Sequence, residues 1–191
     1  GQAMAGGNSV RATGGMNAAK TALQDENTFG ESAGVEKTLA SAASDYADSE
    51  TITALAATVA EQWAAYQENP EGYFDSVELM ELDTQIGGKD VNDPELVKTL
   101  CENSAASIEW LSGIGAELTS VGSFGGASVK RIHRPVNEEG KTISVGSYIV
   151  PILEKNCQDR GVTMLMETLA TSILTDDAGA ACGIIATGKN G

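Results

Sequence analysis

The sequence has one histidine, three cysteines, few aromatics and no long apolar run. Each scarcity closes a class of function. A lone His133 excludes a histidine-based metal site and leaves no partner for a histidine-centred triad. Cys101, Cys157 and Cys182 are odd in number and far apart, so they form neither a CxxC redox pair nor a haem-attachment motif, and small buried hydrophobes are their expected role. No apolar run approaches the roughly 18 residues of a membrane-spanning helix. Residues 1–8 show neither a basic nor an apolar leader region, and Gly1 stands where an initiator methionine would, as in a processed piece of a longer chain.

Positive charge is scarce as well: 12 Lys and Arg face 27 Asp and Glu, a net charge of −15. The imbalance is concentrated, because residues 25–83 carry 14 carboxylates against Lys37 alone. That argues against nucleic acid or an anionic membrane as partner. It fits a solvated face that keeps the chain soluble, or a docking face for a basic electron-transfer partner. The remaining composition, with 41% hydrophobic residues over 191 positions, supports a folded domain with a core.

The strongest local signals are helical. Ile52, Leu55, Ala56, Val59, Trp63 and Tyr66 recur at helical spacing, with Asp48 or Ser49 able to cap the start and Asn69-Pro70 to end it. A weaker helical pattern covers 31–47. Asp93-Pro94-Glu95 opens a further helix, whose apolar face is expected to hold Leu96, Val97, Leu100, Ile108 and Leu111, with a break near Ser104 and a stop at Gly113 and Gly115. Residues 119–142 read as irregular and Gly-rich. A helix is expected from about 145 to 160, interrupted or kinked by Pro151 and closed by Gly161. Val162–Met166 reads as a short buried strand. Leu169–Leu174 and Cys182–Ala186 read as a hairpin turning at Asp176-Asp177-Ala178-Gly179.

Four glycines fall within ten residues in Gly6-Gly7-Asn8-Ser9-Val10-Arg11-Ala12-Thr13-Gly14-Gly15-Met16-Asn17-Ala18-Ala19, a loop that exposes its backbone. Together with Asn92-Asp93-Pro94-Glu95-Leu96-Val97-Lys98 and Gly125-Gly126-Ala127-Ser128-Val129-Lys130-Arg131-Ile132-His133-Arg134-Pro135, it resembles the flavocytochrome c branch of the fumarate reductase and succinate dehydrogenase flavoproteins, which includes urocanate reductases.

The resemblance implies an α+β fold: an incomplete, Rossmann-like FAD-binding domain with a largely helical acidic insert and a small β-hairpin near the C-terminus. It divides the chain into an FAD-binding loop at 1–24, the insert at 25–85 and the remainder of the domain at 86–191. It implies FAD as cofactor, with Gly7, Asn8 and Ser9 along the diphosphate and ribityl chain. Thr13, Gly14, Gly15 and Met16 would face the isoalloxazine ring, Gly14 would also touch substrate, and the Ala170 backbone would meet the adenine. The implied reaction is hydride transfer from FAD to the C=C bond of fumarate, urocanate or a related unsaturated acid. Electrons would come from a haem, a second flavin or a quinol-linked partner, in an extracytoplasmic location. A ketosteroid dehydrogenase-like or aspartate oxidase-like flavoprotein, and a non-catalytic acidic interaction module, are the other readings.

No catalytic residue and no metal ligand is implied within these 191 residues. The family's GxGxxG turn and the ribose-binding glutamate do not occur, so the chain alone is expected to bind FAD weakly or not at all and to be inactive. An exposed strand edge is expected to be covered by a second copy or by a rearranged segment. Arg131, His133 and Arg134 form a small basic cluster that reads either as a site wall attracting an anion or as a set of local hydrogen bonds and ion pairs.

Overall fold

A computed structural model describes residues 2–189, which divide into two compact units. One is Gly14–Ser144. The other joins the segment up to Thr13 with that from Val145 onward.

Within Gly14–Ser144, α1 (Ser32–Asp45), α2 (Glu50–Glu68), α3 (Val77–Gly87), α4 (Pro94–Glu102) and α5 (Ser104–Gly113) pack beside a small antiparallel sheet. The sheet has the order β1 (Met16–Asn17), β3 (Ile132–Arg134), β2 (Ser120–Gly122). The helices start where side chains accept orphan amides. Ser49 accepts from Ile52 N at 3.2 Å, Ser76 from Leu79 N at 2.9 Å, and Asp93 from Glu95 N at 3.0 Å and Leu96 N at 3.3 Å. α2 buries Ile52, Val59 and Trp63, as its periodicity requires. Phe29 packs against Trp63, Tyr66, Tyr73 and Phe74 with ring centroids 5.3–5.9 Å apart. Tilted and edge-on pairs of this kind add about 0.5–1.5 kcal/mol each beyond area burial.

α3 is the most buried helix of this unit and has no simple apolar stripe. Its inward residues include Leu79, Met80 and Leu82 but also Glu81, Asp83 and Gln85. α4 corrects the expected apolar face: Val97 and Cys101 point inward, whereas Leu96 and Leu100 are exposed. Each exposed leucine lies one residue, about 100°, from the buried stripe, so the helix cannot bury both rows. Burial pushes the Cys101 thiol up to about 11. Residues 119–142, expected to be irregular, contribute strands β2 and β3.

The second unit contains a short 3-10 turn (Ser9–Arg11), α6 (Val145–Asp159) and the hairpin β4 (Leu169–Thr175) and β5 (Ala181–Thr187). Asp176 Oδ1 accepts Ala178 N and Ala180 N, both at 2.9 Å, and Gly179 supplies φ of +83° to close the turn. Pro151 sits inside α6 and costs its ladder one donor. The expected strand at Val162–Met166 is absent, and Val162 and Leu165 are exposed. A strand needs a neighbour for its amides, and no described residue pairs with this stretch as one. Cys182 is exposed and Cys157 half-buried, so only Cys101 behaves as the expected core cysteine. Among the described residues, no helix is long and apolar enough to cross a membrane.

Candidate functional site

The Gly-rich run of residues 6–16 lies partly in each unit. In the unit that holds α6, Gly6 and Gly7 adopt φ of +103° and +50°, which turns the chain into the 3-10 segment. Ser9 N then bonds Gly6 O at 2.8 Å and Ala12 N bonds Ser9 O at 3.1 Å. Gly6 must be glycine for a second reason: a Cβ there would stand 2.7 Å from Val150 Cγ1 on α6. The loop is fastened to the start of the same helix by Gly146 N, which donates to Ala12 O at 2.9 Å. At Gly7, by contrast, a Cβ would meet nothing within 4 Å. Asn8, Ser9 and Thr13 are exposed.

In the other unit, Gly14 and Gly15 differ in the same way. A Cβ on Gly15 would collide with the His133 carbonyl oxygen and stand 2.7 Å from Ile132 Cγ1 and 2.8 Å from Arg134 Cγ. Gly15 is therefore explained by close packing on β3. A Cβ on Gly14 would meet nothing. Met16 and Asn17 follow as β1, in register with His133 and Ile132. Ala170 is exposed and pairs with Ala186 in the hairpin.

Behind β3 lies a buried polar network. The Arg131 side chain is 2% exposed. Its Nη2 bonds Asp75 Oδ1 at 2.7 Å, its Nε bonds Asp75 Oδ2 at 3.2 Å, and its Nη1 bonds Asp83 Oδ2 at 2.6 Å. Gln24 Nε2 adds a bond to Asp75 Oδ2 at 2.7 Å, and Ser128 N and Oγ bond Asp83 Oδ2 at 2.9 and 2.8 Å. The guanidinium is raised in pKa despite burial, because Asp75 and then Asp83 hold it charged. Each carboxylate is multiply satisfied, the condition under which a buried ion pair is tolerated.

His133 is fully buried. Its Nδ1 lies 3.0 Å from Arg131 O, which can only accept, so Nδ1 carries the proton. Its Nε2, 2.7 Å from Thr21 Oγ1, is then the acceptor of a neutral ring. Burial pushes its pKa below the ordinary value, against the pull of the Arg131 and Met16 backbone and of Asp75. The basic cluster is thus no open wall for an anion. Arg131 and His133 are inside, the first committed to carboxylates and the second neutral.

This ring makes stability pH-dependent. Its folded pKa lies below its unfolded one, so the unfolded chain binds a proton first as pH falls through about 6.5. The stabilisation is complete above that value and declines below it. Glu81, whose pKa is raised by burial and by Glu78, acts with the opposite sign, so the difference between parent and variant isolates the histidine. His133→Gln is expected to lose less stability than the parent between pH 7.5 and 5.5 in urea unfolding. An unchanged slope would mean that the ring titrates alike in the folded and unfolded chain, and a larger loss in the variant that the fold holds the ring charged.

The network had little sequence signal. Asp75 and Asp83 sit in the acidic stretch that reads as solvated, 56 and 48 residues from Arg131. The one available hint was a charged pair, Glu81 and Asp83, interrupting the apolar residues of α3.

A family profile described as the FAD binding domain matches residues 62–191. It covers the second and third stretches of the resemblance, but not the Gly-rich run, and begins inside residues 25–85. The fumarate reductase (cytochrome) of Shewanella frigidimarina is 42% identical over 122 residues, covering 64% of this chain and 21% of the relative. The urocanate reductase of Eggerthella lenta is 35% identical over 120 residues, covering 61% and 19%. Among solved structures, the open conformation of a flavocytochrome c3 fumarate reductase superposes with a TM-score of 0.64 at 27% identity, over 95% of this chain and 24% of that one. The chain spans about a fifth of the length of these two curated relatives.

Proposed function

We propose, given that this chain belongs to the FAD binding domain family, that the whole protein is an FAD-dependent oxidoreductase reducing the C=C bond of an unsaturated carboxylic acid. The observation that carries the reading is Gly14. A Cβ there would meet nothing and its φ is not left-handed, while Gly6, Gly15 and Gly146 are each explained by packing within the chain and Gly7 by its φ of +50°. Open glycines leave backbone amides free for close approach by a flat, anionic cofactor.

Bound FAD, once reduced, supplies a hydride to one alkene carbon, and the other carbon takes a proton. The residues of this chain bind and orient. Gly7, Asn8 and Ser9 run along the diphosphate and ribityl chain. Thr13, Gly14, Gly15 and Met16 lie against the ring system, where amide donors stabilise negative charge on the reduced flavin. Gly14 also borders the substrate, and the Ala170 backbone meets the adenine. None of these positions offers a proton donor of suitable pKa, so the proton and the grip on the substrate carboxylates come from elsewhere in the whole protein. The names of the relatives favour fumarate or urocanate as substrate. An extracytoplasmic setting and a separate electron-donating protein or domain complete the proposal.

The test uses the whole protein. It is expected to purify with stoichiometric flavin and to oxidise a reduced viologen dye only when fumarate or urocanate is added. A colourless protein that takes up no flavin would overturn the proposal. Bound flavin with no turnover of either acid would overturn the substrate class while leaving the cofactor standing.

A further inference from the structure

Of the three residues in the basic cluster, Arg134 alone is left without a partner. It is half-buried at the end of β3. Its Nε is enclosed by protein and meets no acceptor, so a ligand can reach only the Nη end. The two Nη groups are not enclosed, and among the described residues none bonds or ion-pairs them. The residues just before it behave differently. Lys130 pairs with Glu31 at 3.3 Å, and Arg131 pairs with Asp75 and Asp83. Carboxylates outnumber Lys and Arg by 27 to 12 in this chain. A partly desolvated guanidinium that takes none of them keeps its Nη donors for an anion from outside the chain.

The place of this side chain narrows the choice of anion. Arg134 Cγ stands 2.8 Å from where a Cβ on Gly15 would be, and Ile132 Cγ1 stands 2.7 Å from the same point. The Arg134 stem therefore lies against Gly15. Alternation along β3 puts Ile132 and Arg134 on the face opposite His133, away from the buried network. Gly14, the next residue of the turn, has nothing beside a Cβ. An unpaired cation and open backbone thus adjoin within the Gly14–Ser144 unit.

We propose that Arg134 supplies the positive charge that balances reduced flavin at the Gly14–Gly15 turn. The inference rests on the flavin reading above. Two electrons from the donor and one proton, taken up at N5, leave the ring system with one negative charge on N1 and O2. Backbone amides meet that charge with partial charges, whereas a guanidinium brings a whole charge and a donor fork. A cation beside the ring favours the reduced form over the oxidised one and so raises the flavin potential.

The test is the midpoint potential of the flavin in the whole protein, read anaerobically at the flavin absorption band against reference dyes. Arg134→Gln is expected to weaken binding of reduced relative to oxidised flavin at least tenfold, which for a two-electron couple lowers the potential by about 30 mV or more. Arg134→Lys keeps the charge and should show only a minor part of that shift. Ser120→Glu reaches the same end by another route. Ser120 is the cross-strand neighbour of Arg134 in β2, so a carboxylate there takes up the guanidinium while every other side chain stays in place. It should lower the potential as Arg134→Gln does, with a urea midpoint no lower than the parent's. The proposal is overturned if Arg134→Gln holds flavin at the parent's potential, or if Arg134→Lys falls as far as Arg134→Gln. Should Arg134→Gln fail to fold or lose its flavin, an unchanged potential in Ser120→Glu overturns it. A raised KM for fumarate at constant potential would give the guanidinium to a substrate carboxylate instead. A lowered urea midpoint at constant potential would give it to a carboxylate elsewhere in the whole protein. Both results overturn this proposal and leave the flavin reading intact, whereas a parent without flavin overturns the two together.

Discussion

Arg131→Met is expected to destabilise the fold by about 3–5 kcal/mol, because it leaves Asp75 and Asp83 buried without a counter-charge. That is a large share of the roughly 5–15 kcal/mol that holds a typical domain together. The neighbouring donors do not compensate. Gln24, Ser76 and Ser128 already bond these carboxylates, and none carries charge. The loss should appear as a lower urea midpoint. Adding Asp75→Asn and Asp83→Asn to Arg131→Met should recover much of it, since neutral amides remove the stranded charges. Arg131→Lys should fall between parent and Met, because one ammonium cannot span two carboxylates in the geometry of a fork. A loss below about 1 kcal/mol for Arg131→Met would show that water reaches the two aspartates and that the network is not a load on the fold.

The same network shows where sequence patterns carry information and where they stop. α2 and the start of α4 are legible because their signals are local: Ser49 and Asp93 each reach amides two or three residues ahead. The β4–β5 hairpin is legible for the same reason, since Asp176 closes its own turn. α3 is obscured because inward Glu81 and Asp83 break the apolar period, and the partner that makes Asp83 tolerable is Arg131, just before β3 and far along the chain. Arg131 and His133 look like an exposed basic cluster for the matching reason, as the carboxylates that absorb Arg131 are distant in sequence. Val162–Met166 has strand composition, but composition does not provide a neighbour. The Gly-rich run is legible as a loop and, through its resemblance, as a cofactor segment. Which glycines the fold needs and which it leaves open depends on what lies across from each Cα, and no linear pattern contains that.

Gly14 and Gly15 turn this distinction into opposite outcomes. Gly15→Ala drives a methyl group into the β3 backbone at the His133 carbonyl and against Ile132 and Arg134. β1 must then move away from its register with β3, and the cost of such overpacking is about 1–3 kcal/mol. Gly14→Ala meets open space, and its φ lies outside the left-handed region. It should leave stability unchanged or raise it by about 0.4–1 kcal/mol through a less flexible unfolded chain. Flavin affinity of the whole protein should respond in the reverse sense. Gly14→Ala is expected to weaken it at least tenfold, about 1.4 kcal/mol, because the methyl group occupies the face on which the ring is proposed to lie. Urea midpoints and flavin fluorescence titrations on both variants decide the matter. If Gly14→Ala binds flavin as the parent does, the open glycine is a bend with no ligand beside it. If it costs as much stability as Gly15→Ala, its open side is occupied by protein.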